Sequence, residues 1–286
     1  MRETRFKDTE IGKIPADWET NTIGKVTQVS SGGTPSTSEP SYWGGDIPWM
    51  NSGELNLKIV NSVAGRITEK GLSSSSTKWI PSECVLIGLA GQGKTRGSAA
   101  FNTISLCINQ SIGAIFPSKH LDNKFLYYYM NTLYHHLRKI SDGGGGRGGL
   151  TKALLQGIYV PIPSKDEQSR IASVLTSIDN LISSLDKLIE KKKDIKQGTM
   201  QQLLTGKIRL KGFSEPWIVR ELGKSFTFIG NNCYSRDMMS DSGIVRNVHY
   251  GDVLIKYGAV IDASQNDLPF IVGKVKQFVK YLRKQW

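Results

Sequence analysis

The sequence predicts an α+β protein: a first domain of short strands and helices, a long coiled-coil helix, and a partial second domain. Three observations carry this. A heptad-spaced apolar seam runs through residues 164–206, short apolar runs alternate with Gly- and Ser-rich segments before it, and a tryptophan-to-glycine spacing from the N-terminal part recurs 199 residues later.

In the first domain, residues 1–163, the runs Cys84-Val85-Leu86-Ile87, Cys107-Ile108 and Ile112-Gly113-Ala114-Ile115-Phe116 read as short strands between long loops. Phe125, Tyr128, Tyr129, Leu133 and Leu137 fall at helical spacing and predict one helix from Asn123 to Ile140, its tyrosines facing a core rather than stacking on bases. The glycine-rich segment from Asp142 to Gly149, with Arg147 inside it, allows close approach to a ligand or serves as a flexible connection.

The second element, residues 164–206, is the most informative. Ile171, Val174, Ile178, Leu181, Leu185 and Leu188 alternate steps of three and four, and Ile195 continues the row after a charged miss at Lys192. That is a coiled-coil seam. A flanking row of Leu175, Ile182 and Ile189 widens it. Pro161 and Pro163 resist helix just upstream, Ser164 with Glu167 forms a capping-box pattern, and Gly206 stands where a C-terminal cap belongs. A helix over 165–204 would be roughly 60 Å long, with Gly198 as a place to kink or stop it. A helix of this pattern needs another helix to cover it.

The third element, residues 212–286, echoes the first. Trp18 precedes Gly24-Lys25 by six residues, with Ile23 before the glycine; Trp217 precedes Gly223-Lys224 by six, with Leu222 before the glycine. The second copy is the shorter, no second heptad helix follows it, and the chain reads as one and a half units of a two-unit protein. Val275 to Trp286 suits a short basic amphipathic helix.

Composition narrows the partners. A formal charge of +12 and a pI near 9.5, shared along the chain, favour a polyanion. Cys84, Cys107 and Cys233 lack metal-site spacing and read as reduced core thiols. The N-terminus has no apolar signal core and no run approaches a membrane span, so a cytoplasmic location without membrane contact is expected. Gly88-Leu-Ala-Gly-Gln-Gly93-Lys94-Thr95 matches the phosphate-loop pattern letter for letter, yet Gly97 falls where a helix should begin and the sequence then reads as strand. A basic hairpin is the better reading; a phosphate-loop NTPase is kept as an alternative. Glu190-Lys-Lys192 has no matching aspartate, and His135 and His136 diverge on a helix. No catalytic group, cofactor or metal is expected.

Several segments, in order, resemble the specificity subunits of type I restriction-modification systems. They are Ile11 to Pro15 with Trp18; Ser31-Gly-Gly-Thr-Pro-Ser36; Tyr42 to Trp49 leading to Asn51-Ser-Gly-Glu54-Leu55; Asn109-Gln-Ser111; Ile158 to Pro163; and Asp166 to Ala172. Met200 to Lys207 and Val245 to Gly258 extend the likeness.

The resemblance implies a non-catalytic DNA reader. In that family a target recognition domain binds each half of a split site, paired helices fix the spacing, and the assembly carries adenine methyltransferase subunits and ATP-driven restriction subunits. A half-length or truncated specificity subunit pairing through its helix, with a copy of itself or with another subunit, is expected; a structural coiled-coil adaptor or a non-functional fragment is the alternative. Lys94, Arg96, Arg147 and Lys152, near glycine-rich loops, are candidate phosphate contacts on double-stranded DNA, and Gln92 and Asn51 candidate base readers.

Overall fold

Val85-Leu86-Ile87-Gly88 and Ile112-Gly113-Ala114-Ile115 are apolar at every position, which suits strands covered on both faces. The computed structural model describes residues 5–91, 93–141, 149–226, 234–253, 255–257, 261–262 and 267–272. Both runs are fully buried strands within it. The chain divides into two compact units, Met1–Met200 and Gln201–Trp286.

In the first unit the strands are β1 Phe6–Thr9, β2 Gly12–Pro15, β3 Glu19–Thr22, β4 Val29–Ser31, β5 Trp43–Met50, β6 Ile59–Val60, β7 Gly65–Ile67, β8 Trp79–Ile80, β9 Val85–Gly88, β10 Ala99–Asn102, β11 Leu106–Ile108, β12 Ile112–Ile115 and β13 Tyr159–Ile162. The helices are α1 Ile23–Val26, α2 Glu69–Ser73, α3 Asn123–Thr132, α4 Tyr134–Ser141, α5 Lys152–Gln156 and α6 Lys165–Leu204. Five strands form one sheet in the order β4-β12-β9-β10-β6, and four form another in the order β7-β5-β11-β8. β9 pairs antiparallel with both β10 and β12, whereas β6 on β10 and β5 on β11 are parallel.

Alternation along β9 sorts the core. Val85 and Ile87 face a cluster with Ile23, Phe101, Leu126, Met130, Leu137 and Leu155, so the helices cover that face. Leu86 turns the other way, to Met50, Leu55, Ile80, Leu106 and Ile108. Asn102, with no exposure, is satisfied on every side: its amide donates to the Pro81 and Ile104 carbonyls and accepts from Cys84 N–H. Cys84 and Cys107 are buried free thiols, their pKa values pushed by burial up to about 12 and about 11, which leaves them inert. Cys233 lies outside the described residues.

Two expectations about the helices need correction. The helix expected over Asn123 to Ile140 is two, α3 and α4, meeting at Leu133. Asn131 and Thr132 donate their side chains to the Tyr127 and Tyr129 carbonyls, and Leu133 N–H closes a tight turn on Met130. Such local bonds compete with the helical ladder. Gly198, by contrast, neither ends nor interrupts α6, which runs unbroken over its 40 residues. Gly206 takes a positive φ of 70° just beyond it, as a C-terminal cap requires.

In the second unit the described elements are α7 Leu222–Ser225, β14 Met239–Ser240 and β15 Phe270–Ile271, with 3-10 turns at Arg236–Met238 and Tyr250–Asp252. β14 and β15 pair antiparallel, Tyr257, Leu268 and Ile271 are buried, and Arg236 Nη2 lies 2.6 Å from Asp252 Oδ1. The repeat noted in the sequence recurs as geometry. α1 and α7 are each a single turn entered from an extended residue, Thr22 at φ −79°, ψ 148° and Glu221 at φ −68°, ψ 134°. Each closes with the same bond, Thr27 N–H to Ile23 O and Phe226 N–H to Leu222 O. The segment Val275–Trp286 lies outside the described residues.

Candidate nucleic-acid interface

The residues joining β9 to β10, 89–98, contain the phosphate-loop lookalike, and their geometry excludes that role. Gly88 N–H bonds to Ser98 O and Gly97 N–H to Gly88 O, so the segment closes a β-hairpin. The strand β10, not a helix, follows Thr95, so the loop's amides do not open a helix whose dipole could face a phosphate. The phosphate-loop reading is thereby overturned.

What the hairpin gains instead is a platform. Tyr134 hydroxyl donates to Lys94 O (3.2 Å), and Arg138 Nη1 donates to Gly93 O (2.7 Å) and Arg96 O (3.3 Å). Gly97, at φ 82°, lies against Tyr134 O and Leu137 Cβ, a conformation and a closeness that favour glycine. The loop is thus pinned to α4 through its carbonyls while Lys94 remains exposed. Arg138 escaped the sequence reading; its place four residues after Tyr134, on a helix facing a glycine-rich loop, was the available signal.

The flanks of the second glycine-rich segment meet the same place. Gly149 N–H bonds to Ser141 O and Leu150 N–H to Leu89 O, so the flanks of 142–148 sit beside the hairpin. Thr151 then caps α5, whose first residue is the exposed Lys152. Lys94 and Arg96 thus stand on the hairpin whose Leu89 bonds to Leu150, two residues before Lys152; Arg147 and Gln92 lie outside the described residues. Asn51 has a different place. Its Oδ1 accepts from Gly53 N–H (2.8 Å), while its backbone N–H and Nδ2 both donate to Glu54 Oε2 (3.0 Å each). Glu54 also accepts from Ala64 N–H, so Asn51 works within a capping network before it meets any ligand.

The motif at the start of α6 resolves into an anchor. Gln168, with no exposure, accepts from Asp122 N–H (2.7 Å) and donates to Pro163 O (2.8 Å) and His120 O (3.2 Å). Ser169 donates to Asp122 Oδ2, whose other oxygen caps α3 at Phe125 N–H. Ser164 Oγ accepts from Glu167 N–H, but Glu167 does not reach back to complete the capping box: its Oε2 accepts from Trp18 Nε1 at 3.1 Å. A tertiary partner has displaced the local one. About three turns beyond Gln168, Tyr128 donates to Asp179 Oδ2 (2.8 Å), and its pKa is pushed up to about 12 by burial and by the Asp179 carboxylate.

Beyond that anchor α6 is bare. Every residue from 177 to 197 is exposed, and Val174, Ile178, Leu181, Leu185, Leu188 and Ile195, with Ile182 and Ile189 beside them, each expose between 48% and 60% of their surface. Ile171 and Leu175 are partly covered; they line an apolar groove of about 340 Å³ with Ile14, Trp18, Tyr128, Tyr129 and Pro161. The open stripe thus runs into a groove of the same domain. The tyrosine-rich face of α3 serves this packing, with Tyr127 buried in the core.

Among the described residues no three His, Cys, Asp or Glu side chains come together to hold a metal, and no helix is long and apolar enough to cross a membrane. The first unit is thus an α+β domain with a pinned hairpin and a long helix anchored at its base and exposed beyond it. The chain belongs to the type I restriction modification DNA specificity domain family, whose profile matches residues 15–197.

Two curated relatives are specificity subunits. That of the type I restriction enzyme MjaIX of Methanocaldococcus jannaschii is 32% identical over 278 residues, 96% of this chain and 60% of that protein. That of EcoR124I/EcoR124II of Escherichia coli is 27% identical over 196 residues, 67% of this chain and 46% of that one. The chain thus spans between about half and three fifths of their lengths. In fold it is similar to the HsdS subunit of Thermoanaerobacter tengcongensis, with a TM-score of 0.51 and 21% identity over 69% of this chain and 47% of that one.

Proposed function

We propose that the chain is a DNA sequence-recognition component of a type I restriction-modification complex, directing adenine methylation and restriction by partner subunits to a bipartite site. The observation that carries this reading is the pairing of a rigid reader with an open arm: the hairpin 89–98 is held by Tyr134 and Arg138, and α6 is locked at its base yet uncovered along its seam. Residues 1–163 act as the target recognition domain, 164–206 as the spacer and 212–286 as part of a second recognition domain.

Lys94, Arg96, Lys152 and Arg147 meet phosphates, and Gln92 and Asn51 face base edges, Asn51 through what its capping bonds leave open. α6 pairs as a coiled coil through Ile171, Val174, Ile178, Leu181, Leu185, Leu188 and Ile195 with the same helix of a second specificity chain, the far end of each helix reaching toward its partner's apolar groove. An antiparallel pair has two-fold symmetry and reads an inverted repeat. Adenine methyltransferase and restriction subunits assemble on this pair in the cytoplasm.

Co-purification with an adenine methyltransferase partner, followed by mapping of methylated sites, tests the proposal: recovery of a complex that marks one split adenine-containing sequence is expected. A complex that forms without any DNA binding would favour the structural adaptor instead.

A further inference from the structure

Residues 32–36 are laid against the end of β11. Gly33 N–H bonds to Ile108 O (2.9 Å), and a Cβ on Gly32 or Gly33 would run into the Ile108 carbonyl or the Ser76 side chain, so the approach requires both glycines. Two indoles hold the carbonyls of the segment: Trp49 Nε1 donates to Gly33 O and Trp43 Nε1 to Ser36 O, each at 3.0 Å. The short loop is thereby fixed, and Thr34 with it.

The turn that joins β11 to β12 is held as firmly. Ile112 N–H bonds to Asn109 O (3.2 Å), Ser111 N–H to Asn109 Oδ1 (3.1 Å) and Asn109 N–H to Met50 O (3.0 Å), while Leu89 N–H, at the root of the hairpin, bonds to Ser111 O (2.8 Å). Gln110 is the exposed tip of this turn. Thr34 donates its hydroxyl to Gln110 Oε1, and Gln110 Nε2 makes no hydrogen bond among the described residues. Ordering an exposed glutamine costs about as much rotamer freedom as one exposed hydrogen bond returns, so the Thr34 bond adds little stability. What it does fix is which end of the amide stands free to donate.

We infer that Gln110 is a further DNA contact, donating through Nε2 to a backbone phosphate oxygen, with Thr34 as its positioning residue. The inference rests on the reading of the chain as a DNA-recognition component. The surrounding charge favours a phosphate: residues 84–121, which supply both the hairpin and the turn, contain Lys94, Arg96 and Lys119 and no acidic residue. Uncharged amides share phosphate contacts with lysine and arginine in DNA interfaces, and such contacts set the register of a protein on the duplex without reading its sequence. The bond between Leu89 and Ser111 ties this contact to the hairpin, so the two meet the duplex at a set separation.

The test is fluorescence anisotropy of the full chain with three labelled DNA duplexes of unrelated sequence across a potassium chloride series. Gln110→Ala keeps the turn, whose bonds are made by the backbone and by Asn109, and is expected to weaken binding to all three duplexes by about the same factor, roughly tenfold, with the salt slope unchanged because no charge is lost. Gln110→Lys sets an ammonium against the same phosphate and should steepen the slope of log affinity against log salt by about 0.9. Thr34→Val should weaken binding by about threefold, and add nothing in a chain that already carries Gln110→Ala. Gln110→Ala binding as tightly as the unaltered chain, Gln110→Lys leaving the slope where it was, or a loss confined to one duplex, which would mean base reading, would each overturn the inference while the DNA-recognition reading stands. Failure of the unaltered chain to bind any duplex would instead sink that reading, and this contact with it.

Discussion

Gln168 makes three hydrogen bonds from a position with no solvent exposure, and leucine there would strand Asp122 N–H and two carbonyls away from water. Gln168→Leu is therefore expected to cost on the order of 3 kcal/mol in denaturant unfolding of the first unit, more than an exposed helix substitution could. Tyr128 makes a second check on the same joint. Its pKa is raised from 10.0 to about 12, so the fold holds the phenolic proton more tightly than the unfolded chain does. That contribution is complete below pH 10 and is lost as pH rises through about 12. Tyr127 and Tyr129 are raised by burial as well, so tyrosinate absorbance should show a late-titrating set whose amplitude Tyr128→Phe lowers by one group. Apart from the Pro163 carbonyl, these partners are far off in sequence: Gln168 meets Asp122 and His120, and Glu167 meets Trp18 in place of the Ser164 backbone that its spacing suggested.

At the scale of elements, α6 was legible in full because a sustained heptad row states a long helix. The end points also followed, from prolines and Ser164 at one end and Gly206 at the other. α3 and α4 were not legible as two helices, since Tyr-rich helical spacing runs straight through the break that Asn131 and Thr132 make with backbone carbonyls. The bare seam leads to a direct prediction. Leu181→Lys with Leu185→Lys and Leu188→Lys removes apolar groups that stand exposed in the first unit, so the melting of the domain should hold while self-association, read by sedimentation at micromolar concentration, is lost. Burying the open half of each such side chain is worth about 1 kcal/mol, enough over the seam to decide the equilibrium.

For the whole molecule, net charge of +12 identifies a class of partner but not the face that meets it. Hydrogen bonds from Leu150 to Leu89 and from Gly149 to Ser141 bring the flanks of the second glycine-rich segment beside the hairpin, far apart though they are in sequence. Lys94→Ala and Lys152→Ala, alone and together, should weaken binding of any DNA duplex and lower the slope of log affinity against log salt by about 0.9 for each phosphate no longer neutralised. Arg147→Ala is expected to act the same way, measured by fluorescence anisotropy across a salt series. A slope unchanged in all three would move the interface elsewhere.

By itself the sequence determined the α+β class, the arm with its apolar seam, and the family likeness, because periodicity, caps and motifs are local patterns. Only the tertiary structure decided that the phosphate-loop lookalike is a hairpin, that Asn51 and Glu54 cap one another within a larger network, and that Arg138 holds the hairpin loop. Each of these depends on which distant segment arrives to satisfy a hydrogen bond or fill a space, and spacing along the chain carries no record of that arrival.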